Sequence, residues 1–234
     1  MAETLALRSA TVQDVLAALA RVRDPELDEP ITDLQFVQEV RVSGDRVEVD
    51  LRLPTYFCAP NFAYLMVADA YDELATLPGV RGVTVQLLDH FASEEINAGV
   101  SGGRGFAGSF PGLADGELAE LRRDFRRKVH RALQERVAAR LLSGGLQVAD
   151  LAGKTLADAV PGPDLDRLVH RRGELGLPCS PEAPLLVHGD GRPISAADLP
   201  TQLRFARATR VSIEGNATFC RGLLSVRYDL PRSG

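Results

Sequence analysis

The chain has 234 residues, 45% of them hydrophobic and 25% charged, with a formal net charge of −5. This is material for one large domain, or for a compact domain with a second module, and it excludes a chain drawn as a whole to nucleic acid or anionic lipid. The amino terminus carries no export signal and no apolar run approaches the roughly 18 residues of a spanning helix, so a cytoplasmic protein without a membrane partner is expected.

In chain order, Thr11 reads as an N-cap with Asp14 in the first turn, and Val12, Val15, Leu16, Leu19 and Val22 follow at helical spacing. Pro25 and Pro30 in "RDPELDEPITDL" end that helix in an ordered turn. Val40 and Val42, then Val47, Val49, Leu51 and Leu53, alternate with charged residues around "SGD", the pattern of a hairpin with one buried face. A second helix is marked by Phe62, Leu65, Met66, Ala70 and Leu74, and "GVTVQLL" reads as a third strand. Because that strand and Val47–Leu53 are joined through a helix, they are predicted to be parallel neighbours.

The glycine-rich stretch that follows, around "NAGVSGGRGFAGSFPG", is predicted as a connecting loop. Asp115 is then positioned to cap a long amphipathic helix with Leu118, Leu121, Phe125, Val129, Leu133, Val137 and Leu141 on one stripe, ending at Gly144 and Gly145. Beyond it the chain is rich in prolines and turns, with a strand pair expected around "TRVSIEG" and "LLSVRY". The predicted class is α/β: a small α-β-β-α-β domain over residues 1–92, a connector over 93–116, the long helix over 117–145 and a small mixed α+β module over 146–234.

"GRGFAG" formally matches a dinucleotide fingerprint, but it neither closes a strand nor opens a helix within a βαβ unit, and no nucleotide is expected. The basic residues of "LRRDFRRKVHRALQERVAAR" are interleaved with acids and fit the solvated face of an amphipathic helix, so no nucleic-acid partner is expected. His170, Cys179, His188 and Cys220 form a secondary metal candidate only if folding brings them together, since their spacing matches no zinc pattern.

The thiol with the strongest context is Cys58, in "LPTYFCAPN" between a strand and a helix. Pro60 is a favoured first helical residue, which sets the sulfur near a helix N-terminus, where exposed N–H groups favour a thiolate. A thiolate serves a nucleophile and a soft-metal ligand equally, and a small buried thiol is the structural alternative. Three cysteines, Cys58, Cys179 and Cys220, are too few and scattered for a disulfide scaffold.

"VRDPELDEPITDLQFVQEVRV", "VEVDLRLPTYFCAP" and "LATLPGVRGVTVQLL" resemble, in order and spacing, the motifs of the MIP18-like family, formerly DUF59, which includes SufT- and PaaD-type factors. Its "DPE" matches Asp24, Pro25 and Glu26. Its "DLG" matches Asp33 and Leu34, with Gln35 in place of glycine, and its Cys-Pro matches Cys58 and Pro60 with Ala59 inserted. The resemblance implies a non-catalytic factor, a carrier or an adaptor, in iron–sulfur cluster assembly or metalloprotein maturation. Cys58 would be the metal or cluster ligand, Glu26 a second ligand or a brace of its own turn, and Asp24, Pro25, Asp33 and Pro60 supporting positions. It implies iron or an iron–sulfur cluster held transiently, and a client metalloprotein or the assembly machinery as partner. A homodimer sharing one cluster is compatible with a single thiolate per chain, since clusters usually take four cysteines. Two alternatives stay open: an accessory dedicated to a multicomponent, for instance di-iron, oxygenase, and a thiol enzyme with Cys58 as nucleophile and His90 as the nearest base.

Overall fold

The structure is a computed structural model and describes residues 9–110 and 118–230. It divides into two compact units, the first comprising the chain through Leu118 together with the segment from Asn216 on, the second Ala119–Gly215.

The first unit opens with α1, Val12–Leu19. The Asp14 N–H donates to Thr11 Oγ1 at 3.2 Å and the Thr11 N–H donates to Asp14 Oδ2 at 2.9 Å, a reciprocal capping box that satisfies two of the donors a helix start leaves open. The hairpin strands β1, Val37–Ser43, and β2, Arg46–Arg52, pair antiparallel, turning at Gly44, whose φ of +63° suits glycine. Helix α2, Pro60–Ala75, carries the chain across to β3, Gly82–Leu88, which pairs parallel with β2 so that Val47 faces Val83. The predicted α-β-β-α-β order and the parallel crossover are therefore present, with sheet order β1-β2-β3. Val47, Val49 and Leu51 of β2 and Val85 and Leu87 of β3 alternate inward onto Val15, Leu19, Val67 and Leu74. Burying each such side chain contributes about 1.5–3 kcal/mol.

The glycine-rich stretch corrects the loop prediction, because it contains α3, Ser93–Ser101, and the short α4, Gly105–Ser109. Ile96 and Val100 are buried, and Asn97 docks α3 against the edge strand: the Leu87 N–H donates to Asn97 Oδ1 at 2.8 Å and Asn97 Nδ2 donates to the Leu87 carbonyl at 3.1 Å. Gly99 is there for close approach rather than for flexibility. A Cβ at that position would sit 1.8 Å from Ser109 Oγ, so only glycine lets the two short helices pack. The fingerprint glycines lie in and beside these helices.

The second unit is built on α5, Leu118–Ser143, which ends before Gly144 and Gly145 as predicted and buries Val129, Leu133 and Val137. Its expected cap, Asp115, falls outside the described residues. Two 3-10 turns, Val148–Gly153 and Leu156–Asp158, lead to α6, Pro163–Leu175. The last helix is α7, Leu199–Tyr228, and it replaces the strand pair expected around residues 209–215 and 223–228. Val211 and Ile213 alternate locally, but Leu199, Ala206, Ile213, Ala217 and Leu224 are the buried positions, and their spacing of seven and four is helical. Extended pairing among the described residues of this unit is confined to isolated bridges, Thr155 to Pro184 and Val187 to Pro193.

Arg172 organises this unit. It is 0% exposed and every guanidinium N–H is used: Nε to His130 Nε2 (3.4 Å), Nη1 to the carbonyls of Pro178 (3.2 Å) and Pro184 (2.8 Å), and Nη2 to Gln134 Oε1 (3.2 Å) and the Leu185 carbonyl (2.7 Å). Burial pulls the guanidinium down to about 10, so it stays charged at neutral pH. The charge is solvated by carbonyl oxygens instead of by a carboxylate, which ties the 178–185 segment to α5 and α6.

Candidate functional site

The first unit gathers its motif residues at one end of the sheet. Pro54, after β2, starts a loop that reaches α2 at Pro60. Ala59, the inserted residue, takes the N-cap position of α2 and offers no side-chain cap, which sets Cys58 one residue outside the cap. The thiol is half-buried, and Cys58 Sγ lies 3.2 Å from Thr55 Oγ1, a hydroxyl able to donate to a thiolate. The loop is braced from below by His90. The Ala92 N–H donates to His90 Nδ1 at 3.2 Å, so the ring proton is on Nε2, which donates to the Cys58 carbonyl at 2.7 Å. Burial lowers the His90 pKa from its ordinary value, opposed by its bond to the Cys58 carbonyl, and keeps it the neutral donor this geometry needs. Both nitrogens are thus engaged with backbone, and the imidazole positions the loop rather than facing the sulfur.

Asp24 shapes the neighbouring turn. Its Oδ1 accepts from the N–H groups of Glu26 (2.9 Å) and Leu27 (2.8 Å), the local side-chain-to-backbone pattern that aspartate favours. The carboxyl is nevertheless pushed up to about 6, because burial outweighs those two bonds and Glu26 and Glu29 add negative charge. Glu26 Oε1 accepts from Asn216 Nδ2 at 3.5 Å. Pro25 and Pro60 are partly buried, whereas Asp33 is exposed and accepts from Thr32 Oγ1 at 3.3 Å. Gln35, standing where the motif has glycine, has φ +62°. That left-handed backbone is the physical reason a glycine suits the position.

The last turns of α7 complete this end of the unit. Ala217 and Leu224 join the core, and Arg227 donates to the carbonyls of Leu53 (3.1 Å) and Asp89 (2.6 Å), fastening the ends of β2 and β3. Arg221 pairs with Glu29. Cys220 lies on the same helix, partly buried. Burial pushes its thiol up to about 11, and the negative charges of Asp24, Cys58 and Glu26 act in the same direction. At neutral pH Cys220 is therefore a protonated thiol in the neighbourhood of Cys58. No local pattern signals this, because the approach is made by tertiary folding alone. Nor does one single out Tyr56, Phe57 and Phe91, which are 47%, 77% and 47% exposed and form one aromatic cluster beside the cysteine, with ring centroids 5.0–6.3 Å apart.

The secondary metal candidates are divided between the units: Cys220 is in the first, and His170, Cys179 and His188 are in the second, where His188 lines a cavity. Among the described residues, no group of three or more His, Cys, Asp or Glu is arranged to hold a metal ion, and no helix is long and apolar enough to cross a membrane.

These motif residues all fall within one recognisable domain. Residues 12–87 match the family described as iron–sulfur cluster assembly protein. It is also similar to an iron–sulfur cluster carrier protein of Synechocystis sp. (strain PCC 6803), 34% identical over 77 residues, which are 33% of this chain and 21% of the relative. The alignment spans about a fifth of that relative's length.

Proposed function

We propose that the first unit carries iron or an iron–sulfur cluster as transient cargo, with Cys58 as its ligand, and that the protein acts as a non-catalytic factor in cluster assembly or metalloprotein maturation. The observation that carries this reading is the half-buried Cys58 thiol at the uncapped start of α2, hydrogen-bonded to Thr55 inside the segment that matches the assembly family. With the Cys220 thiol held protonated by burial, Cys58 is the one cysteine each chain offers as a ligand at this end, too few for a cluster held alone. The cargo is then shared between two copies, with small non-protein thiols completing the shell, or passed directly to a client. Tyr56, Phe57 and Phe91 give the client an exposed aromatic face next to the sulfur.

A dedicated accessory for a multicomponent oxygenase is a narrower form of the same reading. It is favoured by the second unit, whose own core around Val129, Leu133 and Leu168 supplies a separate module for a particular client. A thiol enzyme is less well supported, since His90 bonds the Cys58 carbonyl and leaves the sulfur without a base.

Anaerobic reconstitution with iron and sulfide tests the proposal, read by absorption and Mössbauer spectra with native mass. Wild type is expected to gain a cluster, with the mass showing whether two chains share it, and Cys58→Ala is expected to gain none. If neither binds iron, the carrier reading fails.

A further inference from the structure

The second unit contains a cavity of about 290 Å³ between α5, the 186–194 segment and the first turns of α7. One wall is His130, which is 3% exposed. Its Nε2 accepts from the Arg172 guanidinium, so the ring proton sits on Nδ1, and this donor makes no hydrogen bond among the described residues. The ring is held neutral: burial first, then the charges of Arg172, Arg131 and Arg171, hold its pKa down at about 3. With no partner among the described residues and its ring on the cavity wall, Nδ1 is a donor open to a molecule in the cavity.

The charge around the cavity fixes the sign of that acceptor. Arg127 and Arg131 line it, and Arg131 makes no ion pair among the described residues. The carboxylate on the wall, Glu135, is already held by Arg210. The rest of the lining is mixed: Gln134, His188 and Gln202 are polar, and Leu186, Ile194 and Leu203 supply an aliphatic part. The Arg131 guanidinium and the His130 N–H donor, together with the aliphatic part of the lining, match a small molecule that carries both an anionic group and a hydrocarbon group.

We propose that this cavity binds a small amphipathic organic anion, its carboxylate received by Arg131 and His130 and its hydrocarbon part by Leu186, Ile194 and Leu203. The site is separate from the thiol of the first unit and stands whether or not that thiol carries iron.

The test is calorimetric titration of the full chain with hexanoate, hexylamine and inorganic phosphate, accompanied by NMR of the histidine side chains. Hexanoate is expected to saturate at one per chain and to shift the His130 ring signals. Arg131→Gln, an exposed substitution whose fold is checked by circular dichroism, is expected to weaken hexanoate at least about tenfold. Absence of saturation at about 10 mM hexanoate overturns the proposal. So does hexylamine or phosphate binding as tightly as hexanoate, or an Arg131→Gln affinity equal to wild type.

Discussion

Replacing Asp24 by Asn removes a buried charge while keeping the oxygen that accepts from Glu26 and Leu27. In the folded chain the carboxyl titrates at about 6 against an ordinary 3.8, a difference of about 3 kcal/mol between its two protonation states. The raised value fixes the sign. The contribution of Asp24 to stability is fully present below pH 3.8 and is lost as the pH rises through about 6, so at pH 8 the ionised carboxylate is a burden on the fold. Asp24→Asn is therefore expected to be more stable than wild type by up to about 3 kcal/mol at pH 8, with the gap closing as the pH falls from about 6 towards 3.8 and gone below that. Urea unfolding followed by tyrosine fluorescence is the suitable assay. The chain has no tryptophan, and its four tyrosines, Tyr56, Tyr64, Tyr71 and Tyr228, all belong to the first unit. A variant no more stable than wild type at pH 8, or a gap that does not change with pH, would refute the reasoning.

Other substitutions test the fold. Gly99→Ala forces a Cβ to within 1.8 Å of Ser109 Oγ and should cost about 1–3 kcal/mol in a thermal melt, with Ser109→Gly restoring much of the loss. Gln35→Gly relieves the left-handed backbone at φ +62° and should raise stability by about 0.5–1 kcal/mol, measured by the same urea assay. Arg172→Met strips the carbonyls of Pro184 and Leu185 of their donors and should destabilise the second unit by about 3–5 kcal/mol, seen as faster amide exchange at Val187.

The elements that were legible in the sequence are those whose burial follows a simple period. Alternation in Val47, Val49 and Leu51 located β2, and the Thr11 and Asp14 cap located α1. The parallel pairing of β2 and β3 followed from the intervening helix. Glycine content points to a loop over α3 and α4, whereas Gly99 permits a close helix contact there. In α7, two β-branched residues outweighed a longer helical stripe whose small members, Ala206 and Ala217, are weak apolar signals. At the site, Cys58 stood out through its flanking prolines. Cys220 and the bond from His90 to the loop carbonyl arise from contacts distant in sequence that no local pattern encodes.

On the proposed function, Cys58 and not its neighbour Cys220 hands over the cargo. Cluster transfer from the anaerobically loaded protein to an apo-ferredoxin, followed by circular dichroism in the visible range, tests this most directly. Transfer is expected from wild type and from Cys220→Ala at comparable rates, and none from Cys58→Ala. Transfer that survives in Cys58→Ala, or that is lost equally in both variants, would contradict it.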